Sequence, residues 1–242
     1  MRILLSHPLT ADAPGWPGNE LFEIEPVRSM GRGDMNNSCI LRYHEHFGTH
    51  FDAPNHFNAK GPRIAELPFD YFFYDHPLLL DIPKGDDEAY VWDDFAPYES
   101  QLSNVDLLLL RSGFCQRFRA ADPERYQMHT PFIHPDCAAE LVKRFGGTLK
   151  TIALDFISLG TPQNRELSCK THQTLLGCGS QRFICGIEDA NLAAIPAGAH
   201  LVSAASIPLM TQGTDSGPVT FWVDVETLAR DSFRGLRGNG ES

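Results

Sequence analysis

Three short, almost unbroken apolar runs constrain this chain most: Leu78–Ile82, Val105–Arg111 and Thr151–Asp155. The middle one reads Val-Asp-Leu-Leu-Leu-Leu-Arg. A strand with one wet face alternates apolar and polar residues, whereas a continuous run of this length reads as a strand covered on both faces. None approaches the roughly 18 residues a membrane span needs. Between the second and third runs, Pro135–Phe145 carries apolar residues at helical spacing and ends at Gly146-Gly147, which predicts a helix with a glycine stop. Further strands are predicted at Ile3–Leu5, Phe22–Val27, Ser38–Tyr43, Phe183–Ile187, Leu201–Ile207 and Val219–Val225. Phe22–Val27 alternates apolar and acidic residues, the pattern of a half-buried strand. The stretch 160–180 has little apolar periodicity and is predicted to be loop with at most one helical turn. Many strands and few helices imply an α/β fold, a single domain built on a mixed β-rich sheet core. Residues 1–233 make up that domain, and the Gly-rich tail 234–242 is expected to be flexible.

Composition narrows the function. At 242 residues and 42% hydrophobic the chain can bury one sizeable core. Its net charge of −11 is wrong for a polyanion binder, so neither nucleic acid nor an anionic membrane is an expected partner. The opening apolar stretch is too short for a signal peptide. Six cysteines without paired spacings fit reduced thiols in a cytoplasm. There is no Gly-x-Ser-x-Gly elbow and no Gly-rich phosphate loop, which disfavours a serine hydrolase and a nucleotide enzyme.

The chemistry concentrates in residues 44–57, His-Glu-His-Phe-Gly-Thr-His-Phe-Asp-Ala-Pro-Asn-His-Phe, which hold four of the ten histidines. Imidazole and carboxylate are ordinary ligands for zinc, manganese or iron. Gly48 and Pro54 argue against a helix here. In an extended chain His46 and His50 would stand about 13 Å apart, too far to share one ion. The chain must therefore fold back between them, and Gly48-Thr49 is where it can. His50 and Asp52, about 7 Å apart along a strand, can reach one metal, and Pro54 can turn His56 in from another direction. A structural zinc site is the competing reading, but such sites are closed and Cys-rich, and no Cys is near in sequence. His44 reads as a support or surface residue and His76 as structural, while His129 and His134 flank Thr130-Pro131, with a pocket-side loop as their less favoured reading.

With these residues in view, the chain resembles a known family. His46-x-Gly48-Thr49-His50-x-Asp52-Ala53-Pro54-x-His56 matches the HxGTHxDAPxH signature of the metal-dependent cyclase family, which includes bacterial-type kynurenine formamidases and isatin hydrolases. Weaker similarity covers Trp16-Pro17-Gly18, Leu107–Gly113, Ile152–Ser158, His172–Leu176 and Ile187–Leu192. The resemblance implies a swivelling β/β/α fold and a homodimer or higher homo-oligomer. It implies one or two divalent ions per chain, zinc first and manganese second. His46, His50 and Asp52 would hold the first metal. Asp52 would bridge to a second, bound also by His172, and Glu188 would touch both. His56 would carry the proton, and Trp16 would line the substrate pocket. The spacing from His172 to Glu188 is longer than in the formamidases, with the extra residues at Gly177–Gln181.

The chemistry of the residues agrees with that reading. A divalent metal lowers the pKa of bound water towards ~7 and polarises a carbonyl, and a histidine can move the proton. The expectation is hydrolysis of a small aryl amide, with N-formylkynurenine as the best single substrate. Hydrolysis of a cyclic amide or lactone such as isatin is the alternative, and a non-catalytic metal-binding protein is the alternative of another class.

Overall fold

A computed structural model of the chain describes residues 1–226, so the predicted tail at 234–242 and the end of the predicted domain at 227–233 lie outside the described residues. The chain opens with β1 (Arg2–Leu4), a hairpin of β2 (Glu23–Arg28) and β3 (Ser38–Arg42), and the short β4 (His50–Asp52). Next come β5 (Phe73–Tyr74), β6 (Pro77–Asp81) and β7 (Ala89–Tyr90), then helices α1 (Trp92–Phe95) and α2 (Glu99–Leu102). β8 (Leu107–Arg111), α3 (Phe114–Phe118), α4 (Pro123–Met128), β9 (Phe132–Ile133) and α5 (Pro135–Phe145) follow. β10 (Thr151–Leu154), α6 (Arg165–Leu175), β11 (Cys185–Glu188), β12 (Leu201–Pro208) and β13 (Ser216–Val225) complete it.

Nine strands form one mixed sheet in the order β5-β12-β13-β4-β11-β10-β8-β6, with β1 also on β13. β6, β8, β10 and β11 run parallel, and β4 joins antiparallel between β11 and β13. β12 comes back against β6, so the sheet is nearly closed.

This architecture explains the apolar runs. Leu108 and Leu110 of β8 point into a core with Ile152, Leu154 and the inner face of α5. Leu107 and Leu109 point the other way, into a second core with Phe51, Ile187 and Phe221. Both faces of the strand are covered, so both parities are apolar. α5 spans the predicted Pro135–Phe145 and is capped by His134, whose ring accepts from the Asp136 amide. No helix among the described residues is long and apolar enough to cross a membrane.

Two elements differ from expectation. Residues 165–175 form the three-turn helix α6 where a loop with at most one helical turn is expected. Its inward stripe is Ser168, Thr171, His172 and Leu175, mostly polar, so it carries no hydrophobic period. The second difference is β2, where every residue is exposed rather than alternately buried.

Candidate metal centre

The centre is assembled on β4. The chain reverses at Gly48, whose φ of 68° is the left-handed conformation glycine tolerates. Thr49 locks the reversal: it donates to the Asp189 carbonyl at 2.6 Å and accepts from the His7 amide at 2.9 Å. The fold-back sets His46 Nδ1 2.9 Å from Asp52 Oδ1, and His50 Nε2 lies 3.5 Å from the same oxygen. After Pro54 a short 3₁₀ turn, Pro54–His56, brings His56 over His46, with ring centroids 3.9 Å apart.

Sheet register supplies the rest. Glu188 of β11 stands opposite His50, and Gly186 opposite Asp52, so Glu188 shares the face of His50 and Asp52. Glu188 Oε2 lies 3.3 Å from His50 Nε2, and Oε1 lies 3.4 Å from His172 Nε2. Oε1 also accepts from Ser158 Oγ at 2.9 Å and from the Leu159 amide at 2.7 Å, which fixes the carboxylate. The outer ring nitrogens are fixed too: His50 Nδ1 meets the Gly48 carbonyl and His172 Nδ1 the Ser168 carbonyl, each at 2.8 Å. Both rings thereby present Nε2 inward.

The electrostatics are those of a ligand cluster. Burial works against charge on His46, but Asp52 and Asp215 outweigh it and push its pKa up to about 10. Burial likewise raises Glu188, but His172 and His50 outweigh it and bring it down to about 2. Asp52 is fully buried; its Oδ1 faces the ring nitrogens of His46 and His50, and its Oδ2 has no polar partner. An unsatisfied buried polar atom costs roughly 1–3 kcal/mol. A buried carboxylate flanked by imidazole nitrogens, with its second oxygen unpaired, fits a cation site. His46, His50 and Asp52 each offer an atom within 4.8 Å of the others, and so do Asp52, His56 and His172. Asp52 belongs to both of these; the second contains His56 while Glu188 stands beside it, and a third such group is His46, His56 and Asp215.

All the expected ligand residues come together, and His56 and Trp16 join them. A cavity of about 500 Å³ opens over the cluster, lined by Trp16, Pro17, Phe57, Met128, Ile157 and Arg165. His44 lines it as well, accepting from the His46 amide at 3.2 Å. His129 pairs instead with Asp87 outside the cavity, at 2.8 Å. The sequence analysis gave Asp215, in the segment Gly213–Pro218 before β13, no role. Asp215 Oδ2 is 2.7 Å from His56 Nδ1 and 3.5 Å from His46 Nε2.

Comparison with known proteins places this geometry. The kynurenine formamidase of Geobacillus thermodenitrificans is 28% identical over 220 residues, 90% of this chain and 94% of that one. The kynurenine formamidase of Sphingopyxis alaskensis is 27% identical over 218 residues, 89% and 93% of the two chains. Among solved structures, isatin hydrolase A from Labrenzia aggregata, bound to benzyl benzoate, shares the fold with a TM-score of 0.76 at 22% identity, over 92% of this chain and 93% of that one. The Cyclase family model matches residues 3–160, which include the whole His46–His56 motif. With that match spanning more than half of its length, the chain belongs to the Cyclase family.

Proposed function

We propose that this protein is a metal-dependent amidohydrolase that cleaves the C–N bond of a small aryl amide, with N-formylkynurenine as its substrate. The observation that carries the reading is Asp52: fully buried, flanked by His46 and His50 with its second oxygen unpaired, and common to two ligand triads under a cavity of about 500 Å³. His46, His50 and Asp52 would hold one divalent cation. Asp52 and His172, with Glu188 beside them, would hold a second. This donor set suits zinc, and manganese as the alternative. Such a cation, when bound, supplies a water of lowered pKa and a Lewis acid for the carbonyl oxygen.

The protein's own groups do the remainder. Asp215 holds His56 at Nδ1, which leaves Nε2 to take a proton from the attacking water and return it to the departing nitrogen. Trp16 and Phe57 offer aromatic faces to an aryl ring. Met128 and Ile157 keep the site apolar and limit water. Arg165 lines the cavity without an ion pair or hydrogen bond to any described residue, so its charge is available to a substrate carboxylate. N-formylkynurenine carries one and isatin does not.

The formamidase relatives support the amide reading over nine-tenths of both chains. The isatin hydrolase fold supports a second reading, opening of a cyclic amide or lactone on the same groups. Six free thiols agree with a reducing cytoplasm, which we propose as the location. The test is a substrate panel on zinc- and manganese-reconstituted protein: N-formylkynurenine, formanilide, isatin and an aryl lactone. The expected result is the highest kcat/KM for N-formylkynurenine. Metal-loaded protein that turns over none of them is a binding protein, and the proposal fails.

A further inference from the structure

His46, His50, His56 and His172 line the cavity as members of the metal cluster, and His44 lines it without belonging to any of the three ligand groups. It is half-buried, two residues before His46. Its Nδ1 accepts from the His46 amide at 3.2 Å. A backbone N–H only donates, so Nδ1 carries no proton and the neutral ring holds its proton on Nε2. Asn19 Nδ2, also a donor, approaches the same nitrogen at 3.3 Å. Nε2 has no hydrogen bond or ion pair with any described residue. The ring edge that carries this N–H is therefore the one His44 offers to the cavity. The wall around it is fixed. The Asn19 amide donates to the Trp16 carbonyl at 3.1 Å, across a turn in which Gly18 has a φ of 91°. Gln127 Nε2 donates to the Gly15 carbonyl at 2.9 Å. Asn19 thus ties the turn that carries Trp16 to the ring of His44, and an unpaired donor beside an aromatic face calls for an acceptor on the ligand.

The position selects the acceptor. The rings of His44 and His46 have centroids 5.7 Å apart, so His44 stands beside the ligands of the first cation rather than among them. A ligand with its reacting carbonyl at the cluster and its aryl ring against Trp16 brings the neighbouring ring substituent to His44. An uncharged N–H suits an uncharged carbonyl oxygen, whereas a carboxylate has the charge of Arg165 to go to. N-formylkynurenine and isatin share one such group: each carries a ketone on the ring carbon next to the one that holds the amide nitrogen. We propose that His44 is a specificity-determining residue, whose Nε2–H donates to this second, non-reacting carbonyl, so that the site takes aryl amides with an ortho ketone in preference to plain aryl amides. The assignment rests on the amidohydrolase reading, which gives the reacting carbonyl to the metal cluster, and it holds for open and cyclic amides alike.

The test is a ratio, kcat/KM for ortho-acetylformanilide over kcat/KM for formanilide, on metal-reconstituted protein with metal content measured on each preparation. His44→Phe keeps a ring and removes the donor. It is expected to lower the ratio by roughly tenfold, the worth of one hydrogen bond to a neutral acceptor, through KM rather than kcat. His44→Gln places an amide N–H near the position of Nε2 and is expected to recover most of the ratio. Metal per chain should equal wild type in both variants. An unmoved ratio, with both substrates falling alike or neither falling, or loss of metal from His44→Phe overturns the proposal. Acetophenone and ethylbenzene, which are not hydrolysed and differ in the carbonyl, give a second ratio, of dissociation constants, that needs no turnover and should shift in His44→Phe by a similar factor. Should the wild type hydrolyse neither amide, the amidohydrolase reading fails and this probe pair alone decides on His44. If His44→Phe does not fold, nitrogen NMR of the wild-type imidazoles decides. A His44 signal from the Nε2–H tautomer that moves on adding acetophenone supports the assignment, and an Nδ1–H tautomer or an unmoved signal overturns it.

Discussion

Asp215 Oδ2 lies 2.7 Å from His56 Nδ1, a contact that joins the turn before β13 to the last residue of the metal motif. A carboxylate there holds the ring in the tautomer protonated at Nδ1, with Nε2 free for proton transfer. His56→Ala is expected to lower kcat by roughly 10²–10⁴-fold, the usual contribution of a general acid–base. Its metal content should equal wild type, measured by plasma emission on the same preparation. Loss of one ion per chain would instead make His56 a ligand, as its place in the second triad allows. Asp215→Asn keeps the shape and loses the tautomer control, so kcat should fall by roughly tenfold or more with KM little changed.

Much of this was legible in the sequence, for identifiable reasons. The runs at Leu78–Ile82 and Val105–Arg111 announced buried strands because both faces of the sheet are covered. The fold-back at Gly48 followed from chain length alone, since an extended segment cannot bring His46 and His50 to one point. α6 was hidden because its buried stripe is Ser168, Thr171 and His172. Thr171 Oγ1 donates to the Ile133 carbonyl and His172 turns to the centre, so polar residues do there what leucines do elsewhere. Asp215 was hidden because a single aspartate in a Gly-Pro turn has a sufficient local explanation. β2 gave an amphipathic signal that the single chain does not use.

Asp52 should be the residue on which metal retention depends most. It contributes to two of the three ligand groups, and its burial leaves no water to replace it. Asp52→Ala is expected to lose most bound metal and all measurable turnover. Full metal occupancy in that variant would remove the bridging role. Asp52→Asn, nearly isosteric, separates loss of charge from loss of packing, and should bind metal far more weakly than wild type while folding normally.

Two groups of the cluster set bounds on the pH dependence of chelator-stripped protein, and His50 and His172, where carboxylate neighbours likewise outweigh burial and raise the pKa, act in the same direction as His46. His46, raised to about 10 once its carboxylates outweigh burial, contributes stability fully present below its unfolded pKa of ~6.5 and lost as pH rises towards 10. Glu188, brought down to about 2 by His172 and His50 against burial, contributes stability present above ~4.3 and lost as pH falls towards 2. Stripped protein should therefore have its highest Tm between about pH 4.3 and 6.5. Metal must displace the His46 proton, so zinc binding at pH 8 should release protons, measurable by calorimetry in buffers of different ionisation enthalpy. A stripped-protein Tm that rises from pH 6 to 9, or binding without proton release, would contradict the assignment.

Arg165 tests what the cavity selects. It sits on the first turn of α6, seven residues before His172, and Ser168 and Cys169 between them also line the cavity. At 1.5 Å rise per residue, the Arg165 backbone lies roughly 10 Å along the helix from that of His172. The long side chain can cover much of this distance towards a carboxylate on the far end of an aryl amide. Arg165→Gln removes the charge and keeps hydrogen-bonding capacity. It should raise KM for N-formylkynurenine by roughly tenfold, the equivalent of one charge-assisted hydrogen bond, with kcat nearly unchanged. Formanilide, which has no carboxylate, should be hydrolysed equally by both proteins. Equal loss on both substrates would mean that Arg165 shapes the cavity rather than recognising charge. No loss on either would leave the carboxylate without its anchor and return the choice to a neutral substrate such as isatin.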